Sequence, residues 1–236
     1  VSHAACATGT LHVLDAARQS GVRRVVFAAS SSAYGGAAGE GGQSESLLPA
    51  AMSPYAAAKL ASEYYCQAFA ATYGLETVRL RFFNIFGPRQ RADSPYSGVI
   101  AIFTALMAAG KAPNIHGDGL QARDFTYIGN AVQAIVKAAD AEDASGNVYN
   151  VGTGNTTTVL DLVRELNAIL GTNLAPTFGP SRTGDVRFSK ADIRRTRSDL
   201  GYEPTESFVS GLRKTVEWYL STLPEVAAPR RKAVAV

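Results

Sequence analysis

The chain has 236 residues, of which 46% are hydrophobic and 18% are charged, and its formal net charge is +3. A chain of this length and composition is globular and buries a substantial core, and so small a charge does not indicate nucleic-acid binding. No apolar run approaches the roughly 20 residues of a membrane-spanning helix, no signal peptide is recognised, and the two cysteines lack metal-ligand spacing. We therefore expect a cytoplasmic protein with no metal site, no nucleic-acid partner and no membrane contact.

The first predicted elements are a helix and a strand. Residues 1–22 have helical periodicity, with Leu11 and Leu14 on one apolar stripe and Gly21 as the stop signal. The following segment, RRVVFAAS, has the form of a short buried strand that ends at Ser30. A strand followed by a glycine-rich loop and a helix is typical of an open parallel sheet, whose ligands lie beyond the carboxyl ends of the strands.

The next predicted helix carries the pair of side chains best suited to catalysis. Ser53 and Pro54 are an N-cap and a first-turn proline, and the alanine-rich segment after them carries Tyr55 and Lys59. Because these two residues are four apart, both side chains leave the same face of the helix. A cation beside a tyrosine hydroxyl favours the phenolate, which together with Ser30 can take a proton from a substrate alcohol. The alternative is a packed tyrosine beside a solvated lysine, a frequent pair on ordinary helices.

The rest of the chain alternates predicted strands and helices. The strands are residues 76–83, 113–117 and 147–151, and the helices are residues 96–110, a segment after Arg123, 158–170, 191–200 and 207–220. Residues 224–236, which include a basic cluster, are expected to be a disordered tail. The predicted fold class is α/β: a Rossmann-like, doubly wound parallel sheet with a smaller C-terminal α/β substrate-binding region.

Five segments in order, SSSAYG, SPYAAAK, RFFNIFGPRQ, GDGLQARDF and RTGDV, make the chain similar to the extended short-chain dehydrogenase/reductase family. Within it, the chain resembles the UDP-glucose and UDP-N-acetylglucosamine 4-epimerases of the NAD-dependent epimerase/dehydratase type. In this family a glycine-rich turn precedes a helix like the first one here, so the resemblance implies about 90 residues upstream, the first half of the dinucleotide fold. Residues 1–95, with returns around 114–150, then form the C-terminal half of the NAD-binding domain, and residues 96–223 mainly bind substrate.

The resemblance implies NAD-dependent 4-epimerisation of a UDP-sugar through a 4-keto intermediate, with roles for the residues that match the family's motifs. Tyr55 removes the proton of the 4-hydroxyl group, Lys59 holds the nicotinamide ribose, and Ser30 hydrogen-bonds the 4-oxygen. The residues expected to bind the NAD cofactor are Ala28, Ser30, Tyr55, Lys59 and Phe83. The residues expected to bind the substrate are Ser31, Ser32, Asn84, Val99, His116, Arg123, Arg182, Asp185 and Ser189.

Ser189 is expected to influence which sugar is accepted. In the family a bulky tyrosine at this position restricts the enzyme to plain hexoses and a small residue admits a 2-acetamido group, so Ser189 favours N-acetylhexosamine substrates. Each of these assignments has a structural alternative. Ser189 is then the N-cap of the helix over 191–200, Asn84 a turn cap and His116 a structural strand residue, and Arg123 forms a surface ion pair with Asp124 or Asp118.

The resemblance also implies a homodimer. In the family the helix that begins at Pro54 and the helix before it form a four-helix contact between subunits, and the outer positions of this helix include Tyr64, Phe69 and Tyr73. Packing of these aromatic side chains in the core is the alternative.

Two other functions stay open at this point. One is a catalytically inactive fragment, because an open sheet without its first half exposes strand edges and lacks the phosphate-binding turn. The other is a nucleotide-sugar dehydratase or decarboxylase of the same family. Relatives with those activities carry an acidic residue in this loop, just before the Tyr-Gly pair. This chain has Ser31 and Ser32 before Ala33, Tyr34 and Gly35, which argues against both activities.

Overall fold

A computed structural model describes residues 2–36, 42–94, 97–182 and 186–222. The chain divides into two compact units, which are described separately. The described residues of unit 1 lie within 2–85, 122–156 and 186–205, and those of unit 2 lie within 86–121, 157–182 and 206–222.

The predicted helices are present, and so are the predicted strands before Ser30 and near residues 76–83, 113–117 and 147–151. The structure adds short strands that the sequence does not predict. Along the described residues, the α-helices are α1 (Gly9–Gln19), α2 (Pro54–Tyr73), α3 (Val99–Ala108), α4 (Ile128–Asp140), α5 (Val159–Leu170), α6 (Arg194–Leu200) and α7 (Phe208–Thr222). The strands are β1 (Arg24–Ser30), β2 (Glu76–Phe82), β3 (Asn84–Phe86), β4 (Asn114–His116), β5 (Ala122–Arg123), β6 (Phe125–Tyr127), β7 (Val148–Val151), β8 (Thr157–Thr158), β9 (Thr177–Gly179) and β10 (Phe188–Ser189). A π-helical turn over His3–Thr8 precedes α1.

Unit 1 is built on a parallel sheet in which β2 lies between β1 and β7. Ser30 pairs with Phe82, and Phe82 pairs with Val151, so the carboxyl ends of all three strands are level. In a sheet of this kind the ligands bind beyond the aligned carboxyl ends. The predicted parallel sheet is therefore confirmed, and its register brings the residues after β1 and β2 to one edge.

The two faces of β2 explain why helices cover both sides of this sheet. Val78 and Leu80 point into an apolar cluster with Ala134 and Ala138 of α4. The residues between them along the strand point to the opposite face, where Arg81 forms an ion pair with Glu63 of α2. A strand buried on both faces is typical of a doubly wound fold.

A second apolar cluster of unit 1 joins α1 to α2. Leu14 of α1 packs there with Cys66 and Phe69 of α2. Phe69 was expected among the outer aromatic positions of this helix, and that expectation is wrong because the residue faces α1. Tyr64 and Tyr73 of the same helix are exposed, as expected.

Unit 2 is mainly helical. Helices α3, α5 and α7 pack on one another, and strand β4 pairs in parallel with β9. Helix α5 begins at a capping box, in which Thr158 Oγ1 accepts from the Asp161 backbone N–H at 3.0 Å and the Asp161 carboxylate accepts from Thr158. Over the described ranges, no helix is long and apolar enough to cross a membrane.

Candidate active site

Strand β1 ends in three consecutive serines whose hydroxyls are arranged by the turn that follows. Residues 31–34 form a 3₁₀ turn, and Ser30 caps it by accepting hydrogen bonds from the Ser32 backbone N–H at 3.2 Å and the Ser32 hydroxyl at 2.9 Å. Both bonds use Ser30 as an acceptor. The Ser30 hydroxyl hydrogen has no acceptor among the described residues, so this hydroxyl can donate a hydrogen bond to a ligand.

Helix α2, which carries Tyr55 and Lys59, packs on this strand. Its N-cap, Ser53, accepts from the Ala56 backbone N–H at 3.1 Å, as the sequence predicts. The Tyr55 side chain is 46% exposed. One turn later, Lys59 Nζ donates to the carbonyl oxygen of Ala28 at 2.8 Å. The structure therefore brings Lys59 against β1, two residues before Ser30, and leaves Tyr55 exposed.

The residues after β2 lie at the same edge of the sheet. Phe83 is buried in the core of unit 1, with its ring 6.4 Å from that of Tyr34, and its backbone N–H donates to Val151 at 3.0 Å. The Asn84 backbone N–H donates to the Asp124 carbonyl at 3.0 Å, and its side chain is half-buried. Phe83 is thus a core side chain here, and its predicted contact with the cofactor stays a prediction.

A buried ionic assembly lies beneath the serine turn. Arg81 of β2 and Glu63 of α2 form an ion pair of 2.7 Å, and the Arg81 guanidinium lies 4.7 Å from the centre of the Tyr34 ring. The Tyr34 hydroxyl donates to Asn150 Oδ1 at 2.7 Å, and burial raises the pKa of Tyr34 to about 12. Tyr34 therefore stays a neutral hydrogen-bond donor, and its bond to Asn150 anchors the last residue of the turn.

Asp124, which the sequence suggested only as a surface ion-pair partner of Arg123, is a buried residue of this region. Its carboxylate is fully buried and accepts five hydrogen bonds, from Thr126 Oγ1, Thr153 N, Thr153 Oγ1, Gly154 N and Ala191 N, at 2.8 to 3.2 Å. Burial raises the pKa of Asp124, and the hydrogen bonds from Thr153, Ala191 and Gly154 oppose that rise. The carboxylate joins three segments that are distant in sequence at the carboxyl edge of the sheet.

Asp124 explains the first glycine of the glycine-rich segment GTGNTT, which covers residues 152–157. A Cβ atom at Gly152 would lie 2.7 Å from Asp124 Oδ2 and 2.4 Å from the Ala191 Cβ atom, closer than packed atoms approach. Only glycine fits at this position. Two features of the sequence are therefore related to this arrangement. One is the acidic residue directly after Arg123, and the other is the glycine-rich turn at residues 152–157, which belongs to no predicted helix.

Arg123 and Ser189 are neighbours on paired strands. Strand β5 pairs in parallel with β10, with Arg123 opposite Ser189. Arg123 is half-buried, and one of its guanidinium nitrogens donates to the Ala122 carbonyl at 2.9 Å. Ser189 is buried, and its hydroxyl donates to Gln43 Oε1 at 3.1 Å.

The alternative interpretation of Ser189 as a helix N-cap is wrong. Helix α6 begins at Arg194, and Ile193 occupies its N-cap position. The helix starts later than predicted because the segment after Ser189 pairs with Gln43: Gln43 N donates to the Lys190 carbonyl at 2.7 Å, and Asp192 N donates to the Gln43 carbonyl at 2.9 Å.

The remaining predicted residues belong to unit 2. Val99 is the first residue of α3, and Arg182 is exposed. His116 lies in β4, where its Nδ1 atom is 3.3 Å from the Pro180 carbonyl oxygen and its own carbonyl accepts from Gln121 Nε2 at 2.8 Å. Asp185 lies outside the described residues.

A family model described as "NAD dependent epimerase/dehydratase family" matches residues 3–152, which include Ser30, Tyr55 and Lys59. The chain belongs to this family. A relative in the family, the UDP-glucose 4-epimerase of Mycolicibacterium smegmatis, is 36% identical over 211 residues, which are 89% of this chain and 67% of the relative. The chain spans about two thirds of the length of the curated relatives it matches.

Two solved structures of epimerases are similar to most of this chain. The UDP-N-acetylglucosamine 4-epimerase from Methanobrevibacter ruminantium M1, in complex with UDP-N-acetylmuramic acid, has a TM-score of 0.89 and 34% identity, and the match covers 94% of this chain and 70% of that one. The UDP-glucose 4-epimerase from Thermotoga maritima with UDP-glucose has a TM-score of 0.88 and 37% identity, with coverages of 92% and 69%.

These matches confirm the predicted family and the predicted α/β fold. The predicted enzyme class, an epimerase of an NAD-dependent family, is confirmed at the level of the family. The reaction of this chain, its sugar and the roles of its individual residues are proposals.

Proposed function

We propose that this chain takes part in NAD-dependent 4-epimerisation of a UDP-sugar. The observation that carries the proposal is the arrangement at the end of β1: Lys59 is bonded to Ala28, the Ser30 hydroxyl is free to donate, and Tyr55 is accessible one helical turn before Lys59. A base, a cation and a hydroxyl donor at the edge of a parallel sheet are what proton removal from a sugar alcohol needs. The match of this segment to the epimerase family supports the same reaction.

The residues at this edge suit the reactive end of NAD. A ribose offers hydroxyl groups, and Lys59 and Tyr55 are a cationic donor and a phenolic partner suited to binding them. We assign Ala28, Ser30, Tyr55, Lys59 and Phe83 to the cofactor side of the site. When bound, NAD supplies the redox chemistry, which is removal of hydride from C4 of the sugar and its return.

The chain's own residues manage the proton. Tyr55 accepts the proton of the 4-hydroxyl group as C4 is oxidised, and Lys59 stabilises the charge on the phenolic oxygen. Ser30 donates its free hydrogen to the 4-oxygen and so orients it and stabilises negative charge there. When the 4-keto sugar is reduced on its other face, Tyr55 returns the proton, which completes the inversion at C4.

The substrate-binding assignments concern the residues that match the family's motifs. We propose that Ser31, Ser32, Asn84, Val99, His116, Arg123, Arg182, Asp185 and Ser189 bind the UDP-sugar. The planar guanidinium of Arg123 suits a diphosphate oxygen because an arginine donates two parallel hydrogen bonds. The exposed rings of Tyr64 and Tyr73 on α2 support the further proposal of a homodimer through this helix.

We propose UDP-N-acetylglucosamine and UDP-N-acetylgalactosamine as the preferred pair of sugars. The small, buried Ser189 supports this choice, since a small side chain leaves space for a 2-acetamido group, and a similar solved structure is named a UDP-N-acetylglucosamine 4-epimerase. The absence of an acid at Ser31 and Ser32 supports epimerisation over dehydration or decarboxylation.

The experiment is a product analysis of the full-length protein. We expect incubation with NAD and UDP-N-acetylglucosamine to give the 4-epimer, identified by NMR, with a higher kcat/KM than for UDP-glucose. A Ser189→Tyr variant should lose the N-acetylated substrate and keep UDP-glucose. If both sugars are bound but neither gives a 4-epimer, the proposed reaction is wrong. If UDP-glucose is preferred by the wild type, the sugar assignment alone is wrong.

A further inference from the structure

Gln43 and Ser189 are joined by a buried hydrogen bond, 146 residues apart in the chain, that the family resemblance does not connect with any function. The Ser189 hydroxyl donates to Gln43 Oε1 at 3.1 Å. Ser189 is 7% exposed and Gln43 is 1% exposed. A buried amide oxygen or a buried hydroxyl that has no hydrogen-bond partner destabilises the folded state. The bond therefore fixes which way the Ser189 hydroxyl points.

The backbone of Gln43 is held by three further bonds that do not involve the Ser189 side chain. Its N–H donates to Lys190 at 2.7 Å, and its carbonyl accepts from Asp192 N at 2.9 Å and from Asn150 Nδ2 at 2.8 Å. Residue 43 also forms a parallel bridge with Ala191. The Gln43 side chain thus projects from an anchored position, and its amide is a rigid support.

The backbone of Ser189 is fixed from the other side. Its carbonyl accepts from the Asp124 backbone N–H at 2.9 Å, and the residue is paired with Arg123 of β5. With the main chain held on both sides, the remaining freedom of Ser189 is rotation of its hydroxyl about the Cα–Cβ bond. The acceptor on Gln43 decides that rotation.

We propose that Gln43 is a specificity-determining positioning residue, which draws the Ser189 hydroxyl away from the sugar and so sets the space and polarity offered to the substituent at C2. The inference rests on the proposed function, in which Ser189 faces that substituent. A serine whose hydroxyl is engaged offers a small apolar surface to a 2-acetamido group. A serine with a free hydroxyl would instead offer a polar group that needs a hydrogen-bond partner. If that hydroxyl turned toward the sugar, it would also reduce the space for the substituent at C2.

A Gln43→Leu variant tests the proposal because leucine fills a similar volume and provides no acceptor. We expect kcat/KM for UDP-N-acetylglucosamine to fall about tenfold, the effect of losing roughly one hydrogen bond, while kcat/KM for UDP-glucose falls less than about threefold. A Gln43→Asn variant, which keeps the amide but shortens it, should change the ratio of the two values in the same direction. It serves as the second variant if leucine prevents folding, which circular dichroism and thermal melting would detect.

The matched control is Thr196→Val. The buried Thr196 hydroxyl donates to the Asn150 carbonyl at 2.6 Å, so this variant also loses one buried hydrogen bond of unit 1 and does not touch Ser189. A general loss of stability lowers the values for both sugars together, whereas a change in positioning alters their ratio. We expect the ratio in Thr196→Val to equal that of the wild type.

A double-mutant cycle decides whether Gln43 acts through Ser189. In a Ser189→Ala background the hydroxyl is gone, so Gln43→Leu should not change the ratio further. An unchanged ratio in folded Gln43→Leu and Gln43→Asn would overturn the proposal, and so would an undiminished effect in the Ser189→Ala background. Failure of the proposed function is recognised separately, because the wild type itself would then form no 4-epimer from either sugar.

Discussion

The Lys59 ammonium donates a hydrogen bond of 2.8 Å to the carbonyl oxygen of Ala28, and this bond ties α2 to the end of β1. The same ammonium lies 5.1 Å from the centre of the Phe27 ring. A carbonyl oxygen and the face of a ring both attract a cation and together restrict a long, flexible side chain. Lys59 is therefore positioned by β1 itself, two residues before the serine assigned to the sugar oxygen.

Replacing Lys59 with methionine should affect turnover far more than folding. The variant keeps the length of the stem and removes the cation assigned to the phenolic oxygen, so we expect kcat for epimerisation to fall about 10²-fold or more. The melting temperature should change by only a few degrees. The exposed Lys111 gives the control, Lys111→Met, which should retain activity. Wild-type kcat in Lys59→Met would contradict the assigned role.

Removal of the Asp124 carboxylate should destabilise the protein strongly. An Asp124→Ala variant leaves five donors without their acceptor, and we expect the free energy of unfolding, measured with urea, to fall by at least about 3 kcal/mol. Asp140, an exposed residue at the end of α4, provides the matched control Asp140→Ala, with an expected change below about 0.5 kcal/mol. If the two variants were equally stable, the carboxylate would not be holding these segments together.

The Arg81–Glu63 pair should show strong coupling. Glu63→Leu alone leaves a buried guanidinium without its carboxylate, and we expect a loss of about 3–5 kcal/mol in the free energy of unfolding. The double variant Glu63→Leu/Arg81→Met removes both charges and should be more stable than Glu63→Leu. Urea denaturation of both single variants and the double variant measures the coupling, and additive effects would argue against a paired, buried arrangement.

The Cys66 thiol should make stability fall at alkaline pH. Burial raises the pKa of Cys66 to about 12, against about 8.5 in an unfolded chain. The folded state therefore keeps this proton when the unfolded state releases it, and the stabilisation, complete below about pH 8.5, is lost as the pH rises toward about 12 at about 1.4 kcal/mol per pH unit. Unfolding free energies at pH 8 and pH 10 should differ less in Cys66→Ala than in the wild type. The half-buried Cys6 gives the control, Cys6→Ala, in which the wild-type difference should persist.

The sequence predicted the α-helices and the strands of the parallel sheet because their signals are local. The Ser53 N-cap, the apolar run of β1 and the glycine stop after α1 all act within a few residues, and the structure contains each of them. The spacing of Tyr55 and Lys59 likewise required only the helical repeat. What a short segment determines on its own could be predicted from the sequence.

The features that the sequence did not reveal depend on pairs of residues that are distant in the chain. Four of the five hydrogen bonds to the Asp124 carboxylate come from donors 29 to 67 residues away, and the late start of α6 follows from backbone pairing with Gln43. Periodicity and propensity carry no information about such contacts. The homodimer, the cytoplasmic location and the role of Asp185 stay predictions.

Epimerisation by wild type and Tyr55→Phe, followed by NMR with NAD and UDP-N-acetylglucosamine, tests the central claim most directly. We expect the wild type to form the 4-epimer and Tyr55→Phe to be slower by about 10²-fold or more, because the ring remains and the proton acceptor is lost. Tyr65→Phe, at a partly exposed position on the same helix, should match the wild type. Equal rates in Tyr55→Phe and the wild type would contradict the account, as would a wild type that forms no 4-epimer.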